Sequence, residues 1–231
     1  MSARRPPQHE VRWDDTHRLI PDAYATSDAP ILATLSEGND VDDLVALAAA
    51  TSRRVLVQHG RIPSGIHVDE LVYGTPEWPI VNAAYCYPNP LGARFSGPGR
   101  GAWYAGRVLR TSIAEVVFHK TVELEETDYW NVTCLYRDFV ADFHGTFHDL
   151  RGPRTTRATA CLDPDSYRAS QRLADTLVDA GSMGIVYPSV RDEGGEVLAC
   201  FRPALANHVR RAGRVRLTWK ARPAPSVRLL R

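Results

Sequence analysis

"ARFSGPGRGAWYAG", residues 93–106, is the stretch whose reading decides the fold. Three glycines and a proline fall within five residues, between an arginine and a Trp-Tyr pair. Glycines this crowded raise the question of a phosphate loop. A P-loop needs G-x-x-x-x-G-K-[ST], and there is no lysine here. The dinucleotide fingerprint needs G-x-G-x-x-G between a strand and a helix. "GPGRG" has the wrong spacing, and the residues after it are strand-like. Both loops are excluded. Gly97, Gly99 and Gly101 then read as residues that permit positive φ in a tight hairpin turn between "ARF" and "AWYAG".

Outward from this hairpin, "TSIAEVVFHKT" places Ile113, Val116 and Val117 at helical spacing. "YWNVTCLY" and "RDFVADF" read as two strands. "DPDSYRASQRLADTLVDAG" predicts a helix with Asp163 as its cap, Pro164 in its first position and Gly181 at its end. "GIVYPS", "EVLACFR" and "RVRLTW" supply three more strands, the last read as a charged edge strand. Strands and helices do not alternate regularly, so the class is α+β rather than a doubly wound sheet. Upstream, residues 1–38 read as loosely structured. "NDVDDLVALAAAT" predicts a helix capped by Asn39 or Asp40, "RRVLVQHG" a short strand, and residues 62–90 an extended, proline-rich connector. The expected division is an accessory region over 1–78 and a main domain over 79–231.

Composition bounds the function. The 231 residues are 44% hydrophobic and 24% charged with a formal net charge of +1, as in a soluble globular protein. The start has no apolar run after its arginines, and no stretch approaches the ~20 apolar residues of a membrane span. Both point to the cytoplasm. Cys86, Cys134, Cys161 and Cys200 form no C-x-x-C pair, so they read as buried reduced thiols. From Asn207 to Arg231 there are eight Lys and Arg and no acid. Without a DNA-reading motif beside it, this basic tail reads as edge solvation or contact with an acidic partner, not nucleic-acid binding.

The residues flanking the glycines carry the chemistry. Arg94 and Tyr104 stand on the two arms of the expected hairpin, and Glu115 follows in the first turn of the next helix. An arginine fork suits phosphate. A tyrosine ring stacks on a planar, preferably cationic, base. A carboxylate stabilises an oxocarbenium-like centre. Together they suit cleavage of the nicotinamide–ribose bond of NAD. Each also has a structural reading: a surface charge for Arg94, a core pair with Trp103 for Tyr104, and a Ser112–Glu115 capping box.

"RFSGPGRGAWYAGRVLRTSIAEVVFH", followed by "GIVYPSVRDEGGEVLACFRP", resembles the RES-domain family over roughly residues 80–219. The resemblance implies a fold similar to that of ADP-ribosyltransferases. It also implies a toxin of a toxin–antitoxin pair that degrades NAD, with phosphate or water capturing the ribose. It places the family arginine, tyrosine, glutamate and serine on Arg94, Tyr104, Glu115 and Ser189. Arg94 and Tyr104 then serve both catalysis and binding, Ser189 binds substrate phosphate or ribose, and Arg191 is a second phosphate contact. The implied partner is a cognate helix-turn-helix antitoxin of Xre type, and a homodimer is compatible with it. NAD is substrate rather than cofactor, inorganic phosphate is a candidate co-substrate, and no metal is implied. The chain departs from shorter members in the roughly 80 residues before the motif.

Two rival functions share these residues: an ADP-ribosyltransferase that modifies a macromolecule, and a non-enzymatic module acting through a DNA-binding partner. His144 and His148 stand four apart, but the intervening glycine and strand pattern argue against a zinc helix. His119 lies four after Glu115, at the spacing of an intrahelical pair.

Overall fold

A computed structural model describes residues 5–25, 65–153 and 155–231. The helix and strand expected at 39–51 and 53–60 lie outside the described residues. The expected α+β class holds: one mixed seven-stranded sheet is flanked by helices. In chain order the elements are β1 (Gln8–Pro21), α1 (Trp78–Cys86), β2 (Trp103–Gly106), α2 (Leu109–Thr127), β3 (Val132–Asp149), α3 (Thr156–Cys161), α4 (Arg168–Asp179), β4 (Gly184–Pro188), β5 (Glu196–Cys200), β6 (Asn207–Trp219) and β7 (Ser226–Leu230).

The sheet order is β1-β2-β5-β4-β3-β6-β7, and β1 also pairs with β3. Five strands therefore close on themselves, and β6 and β7 extend the sheet from β3. The closure is uneven. β1 runs antiparallel to β3 from Gln8↔His148 to Pro21↔Tyr136, yet it meets β2 at the single pair His17↔Gly106. Beyond that pair β1 and β2 part, and the gap between them becomes the cleft described below.

β1 differs from the loose structure expected for residues 1–38. Residues 8–21 are a full strand of the sheet, and Val11 and Trp13 are buried in its core. A bulge between Trp13 and Thr16, with Asp15 at φ 55°, interrupts the alternation that marks a strand. The connector also differs. Pro79 occupies the first turn of α1, where a missing N–H costs nothing, so the prolines do not prevent a helix there. "YWNVTCLY" and "RDFVADF" fuse into one 18-residue strand, β3. "RVRLTW" is not an edge: β6 lies between β3 and β7, and β7 takes the exposed position. α4 starts later than expected, at Arg168, and Asp163 instead accepts from the Asp165 N–H in a local turn. Gly181 ends the helix as expected, at φ 76°.

Three apolar clusters hold the layers. Ile80, Val81 and Tyr85 of α1 pack on Phe139, Ala141 and Phe143 of β3. Leu173, Ala174 and Leu177 of α4, at i, i+1 and i+4, cover Ile185 of β4 and Ala199 of β5. Leu124 of α2 packs with Leu19, Tyr136, Leu217 and Trp219. Each fully buried large side chain contributes about 1.5–3 kcal/mol by its removal from water.

The glycine-rich loop is structural, but not for the reason expected. None of Gly97, Gly99 and Gly101 has positive φ, and no hairpin joins "ARF" to "AWYAG". A Cβ on Gly101 would stand 2.1 Å from the Ala84 carbonyl oxygen, and the Gly101 N–H donates to Tyr85 O at 3.0 Å. The glycine thus lets the loop lie against α1. Arg100, inside the loop, forms a bidentate pair with Glu70 at 2.8 Å and 2.8 Å and also donates to Phe201 O at 2.6 Å. Its charge is spent within the fold.

Candidate active site

Where β1 and β2 part, a cleft of about 220 Å³ opens between them and α2. Arg94, Tyr104 and Glu115 line it together, with Arg18, His119, Tyr167 and Tyr187. Three of the five candidate residues thus converge, from a turn, a strand and a helix.

Arg94 stands in a tight turn closed by Ala93 N–H to Ser96 O at 2.7 Å. Gln171 of α4 pins this turn by donating to the Leu91 and Ala93 carbonyls. The arginine is 6% exposed. Its Nη1 donates to the Cys161 and Asp163 carbonyls at 3.1 and 2.7 Å, and its guanidinium lies 4.8 Å from the centre of the Tyr167 ring. Nη2 is buried without a hydrogen-bond partner. A buried guanidinium held by carbonyls and a ring, with one donor unspent, is prepared to receive an anion.

Tyr104 is fixed at both ends. β2 pairs it with Ala199 of β5, and its hydroxyl donates to Ser96 Oγ at 2.9 Å and accepts from Phe95 N–H at 3.3 Å. Burial pushes the phenol up to about 12, so it is neutral at physiological pH.

Glu115 lies in the second turn of α2, because the helix starts at Leu109 rather than beside Ser112. There is no Ser112–Glu115 capping box. Ser112 Oγ instead accepts from Gly106 N–H at 3.1 Å and donates to His17 O at 2.7 Å, tying α2 to the point where the strands part. A Cβ on Gly106 would meet Ser112 Oγ at 2.6 Å, so this junction requires glycine.

Ser189 and Arg191 sit one step behind the cleft. Ser189 Oγ donates to Glu115 Oε1 at 2.7 Å and accepts from the N–H groups of Arg191 and Asp192 at 3.1 and 3.0 Å. One donor and two acceptor positions are all a hydroxyl has, and here all three are engaged within the fold. Arg191 donates to Pro164 O at 2.6 Å, and its guanidinium stacks 3.3 Å from the centre of the Phe118 ring. Both residues line a neighbouring surface depression instead. The loop that carries them is anchored to α2 by Thr111 Oγ1 donating to Asp192 Oδ2 at 2.7 Å.

His119 stands at the exposed mouth of the cleft. Loss of water around its ring lowers its pKa, Glu115 raises it, and the charges of Arg191 and Arg94 lower it further. Tyr187, buried against Phe95, is pushed well above its usual value by burial and then by Glu115. His144 and His148 go elsewhere, to Asp14 and to the Pro6 carbonyl. Among the described residues no group of His, Cys, Asp and Glu is arranged to hold a metal.

Sequence reading passed over Tyr167 and Arg18. Tyr167 falls inside a stretch read as uniform helix, although it is the non-helical residue that precedes α4. Arg18 lies in the segment read as loose.

Compared with known proteins, the chain matches the family model described as RES domain over residues 71–220. No curated protein matches it. Among solved structures it is similar to one titled "Crystal structure of the M.tuberculosis MbcT-MbcA toxin-antitoxin complex", at 13% identity and a TM-score of 0.44, covering 90% of this chain and 87% of that chain. No helix among the described residues is long and apolar enough to cross a membrane.

Proposed function

The chain belongs to the RES-domain family, and from that premise we propose that it cleaves the nicotinamide–ribose bond of NAD, as the toxin of an antitoxin-controlled pair. The observation that carries this reading is the convergence on one cleft of an anion-ready arginine, aromatic rings and an oriented carboxylate.

In this reading Arg94 takes a phosphate oxygen of the dinucleotide on its unspent Nη2. Tyr104 and Tyr167 present ring faces to the substrate, and Tyr104 flanks the cationic nicotinamide. The bond from C1′ to the ring nitrogen breaks with its electron pair leaving on nitrogen. The pyridinium thereby becomes neutral nicotinamide and needs no proton. Positive charge develops at C1′ and the ring oxygen, and Glu115 faces it with a fixed negative charge. Water or inorganic phosphate then supplies the electron pair to C1′. Water gives up a proton and yields ADP-ribose, whereas phosphate yields the ribosyl phosphate.

Ser189 is a positioning residue here, and this revises the phosphate-binding role expected for it. Its hydroxyl holds Glu115 in one orientation, and two backbone N–H groups hold the hydroxyl. Arg191 likewise supports this loop rather than the substrate. Family membership supports a helix-turn-helix antitoxin as the partner that blocks the cleft.

The test is release of nicotinamide from NAD by the purified chain, with and without phosphate. NAD that survives both conditions contradicts the proposal. ADP-ribose found on protein or nucleic acid instead would move the reading to macromolecular transfer.

A further inference from the structure

β7 ends the sheet order, and among the described residues no strand pairs with its outer edge. Such an edge leaves every second N–H and C=O of its backbone unpaired, and folds commonly blunt it with a bulge, a proline or a lysine. β7 has none of these. It pairs with β6 in unbroken register from Arg214↔Leu230 to Thr218↔Ser226, and its five residues read Ser-Val-Arg-Leu-Leu.

The two faces of β7 differ. Val227 and Leu229 stand opposite Leu217 and Val215, which are buried in the cluster that α2 covers. They share that face, yet they are 47% and 62% exposed. Arg228 is on the other face, directly opposite Arg216. Like charges set opposite each other across two strands are destabilising. Earlier in β6, Arg210, Arg211 and Arg214 each meet an acid, in Asp15, Glu77 and Asp22. Arg216 and Arg228 are exposed, and neither has an ion pair among the described residues. From Asn207 to Arg231 the sequence has no acid to supply one.

A free backbone edge with an apolar side and a cationic side specifies its ligand. The backbone suits an added strand, and the two sides select alternate side chains of that strand. A second copy of β7 would bring further arginine and no acid. A nucleic acid would bring charge but no strand, and nothing to cover Val227 and Leu229. We propose that β7 is a docking edge for an extended segment of a partner protein, a strand in which apolar residues alternate with Asp or Glu. The backbone of the segment pairs with β7, its apolar residues cover Val227 and Leu229, and its carboxylates meet Arg228 and Arg216. This edge shares no residue with the cleft, so the proposal stands whether or not the chain cleaves NAD.

Fluorescence anisotropy of the purified full chain tests this with a short labelled peptide of alternating Val and Glu. The comparison ligands are a Val-Lys counterpart, the Val-Glu peptide with its backbone amides N-methylated, and a short single-stranded DNA. The Val-Glu peptide is expected to bind, and each comparison ligand to bind at least about tenfold more weakly. The double substitution Arg216→Glu with Arg228→Glu is expected to weaken the Val-Glu peptide by about tenfold or more and to admit the Val-Lys peptide. Neither arginine has an ion pair to lose, so the variant is expected to melt as wild type does. Should it not fold, amide hydrogen exchange of wild type decides. Slower exchange at residues 226–230 on adding the Val-Glu peptide supports the proposal, and unchanged exchange there overturns it. The proposal is also overturned if wild type does not bind the Val-Glu peptide, or binds the N-methylated peptide or the DNA as tightly. Sedimentation that shows a dimer which the peptide does not disperse would assign the edge to a second copy and overturn it too.

Discussion

Ser189 donates its hydroxyl hydrogen to Glu115 Oε1 at 2.7 Å, across 74 residues of chain. The hydroxyl is in turn fixed by the N–H groups of Arg191 and Asp192, so the carboxylate is aimed by backbone. Ser189→Ala removes the aim and leaves two N–H groups without an acceptor. The expected result is a fall in kcat of about ten- to a hundredfold with KM little changed. Ser189→Thr keeps the hydroxyl and is expected to recover most of the loss. Steady-state kinetics of both variants distinguish this from phosphate binding by Ser189, which would raise KM instead.

The glycine loop makes an independent prediction about stability. At Gly101 a Cβ would collide with the Ala84 carbonyl, whereas at Gly99 nothing lies within 4 Å. Gly101→Ala is expected to destabilise the fold by about 1–3 kcal/mol, as overpacking does, and Gly99→Ala to lie within about 0.5 kcal/mol of wild type. Denaturant unfolding of the pair checks this. Equal effects would mean that the loop does not rest on α1 as described.

Glu70 gathers Arg100 and Arg202, and the hydrogen bond from Arg100 is the main cause that lowers its pKa to about 2. A folded pKa below the unfolded value contributes stability that is present above the ordinary carboxylate range and lost as pH falls toward 2. Glu70→Gln is therefore expected to melt below wild type at neutral pH. The gap should hold down to about pH 4.5 and then close with further acidification. Melting curves across pH 2–7 read this directly, and a gap that widens in acid would contradict it.

Much of the fold was legible where one face of an element alone decides its period. β4 and β5 start where the sequence puts them, and α2 and α4 form where apolar spacing predicts helices, although α2 runs on to Thr127 and α4 starts only at Arg168. β1 was not legible, because its bulge shifts the alternation after Trp13 and its charged residues engage partners more than 100 residues away, as His17 does Asp138. The turn holding Arg94 was mistaken for a hairpin arm because β2 finds its partners in β5 and β1, which local sequence does not reveal.

The site divides in the same way. Arg94, Tyr104 and Glu115 were named from local chemistry and resemblance, and the fold brings them to one cleft. Ser189 and Arg191 were named too, but with substrate-binding roles. That a hydroxyl is already saturated is a property of three-dimensional neighbours, which no motif records. Arg18 and Tyr167 reach the cleft from within a strand and from the residue preceding a helix, and neither position carries a recognisable pattern.

The central claim is tested most directly by nicotinamide release from NAD, followed by chromatography, with the wild-type chain and with Glu115→Gln. The substitution keeps shape and removes the negative charge that faces the ribosyl cation. Wild type is expected to release nicotinamide, and Glu115→Gln to do so at least about a hundredfold more slowly with affinity for ADP-ribose retained. Intact NAD with the folded wild-type chain, or equal rates for both proteins, would contradict it.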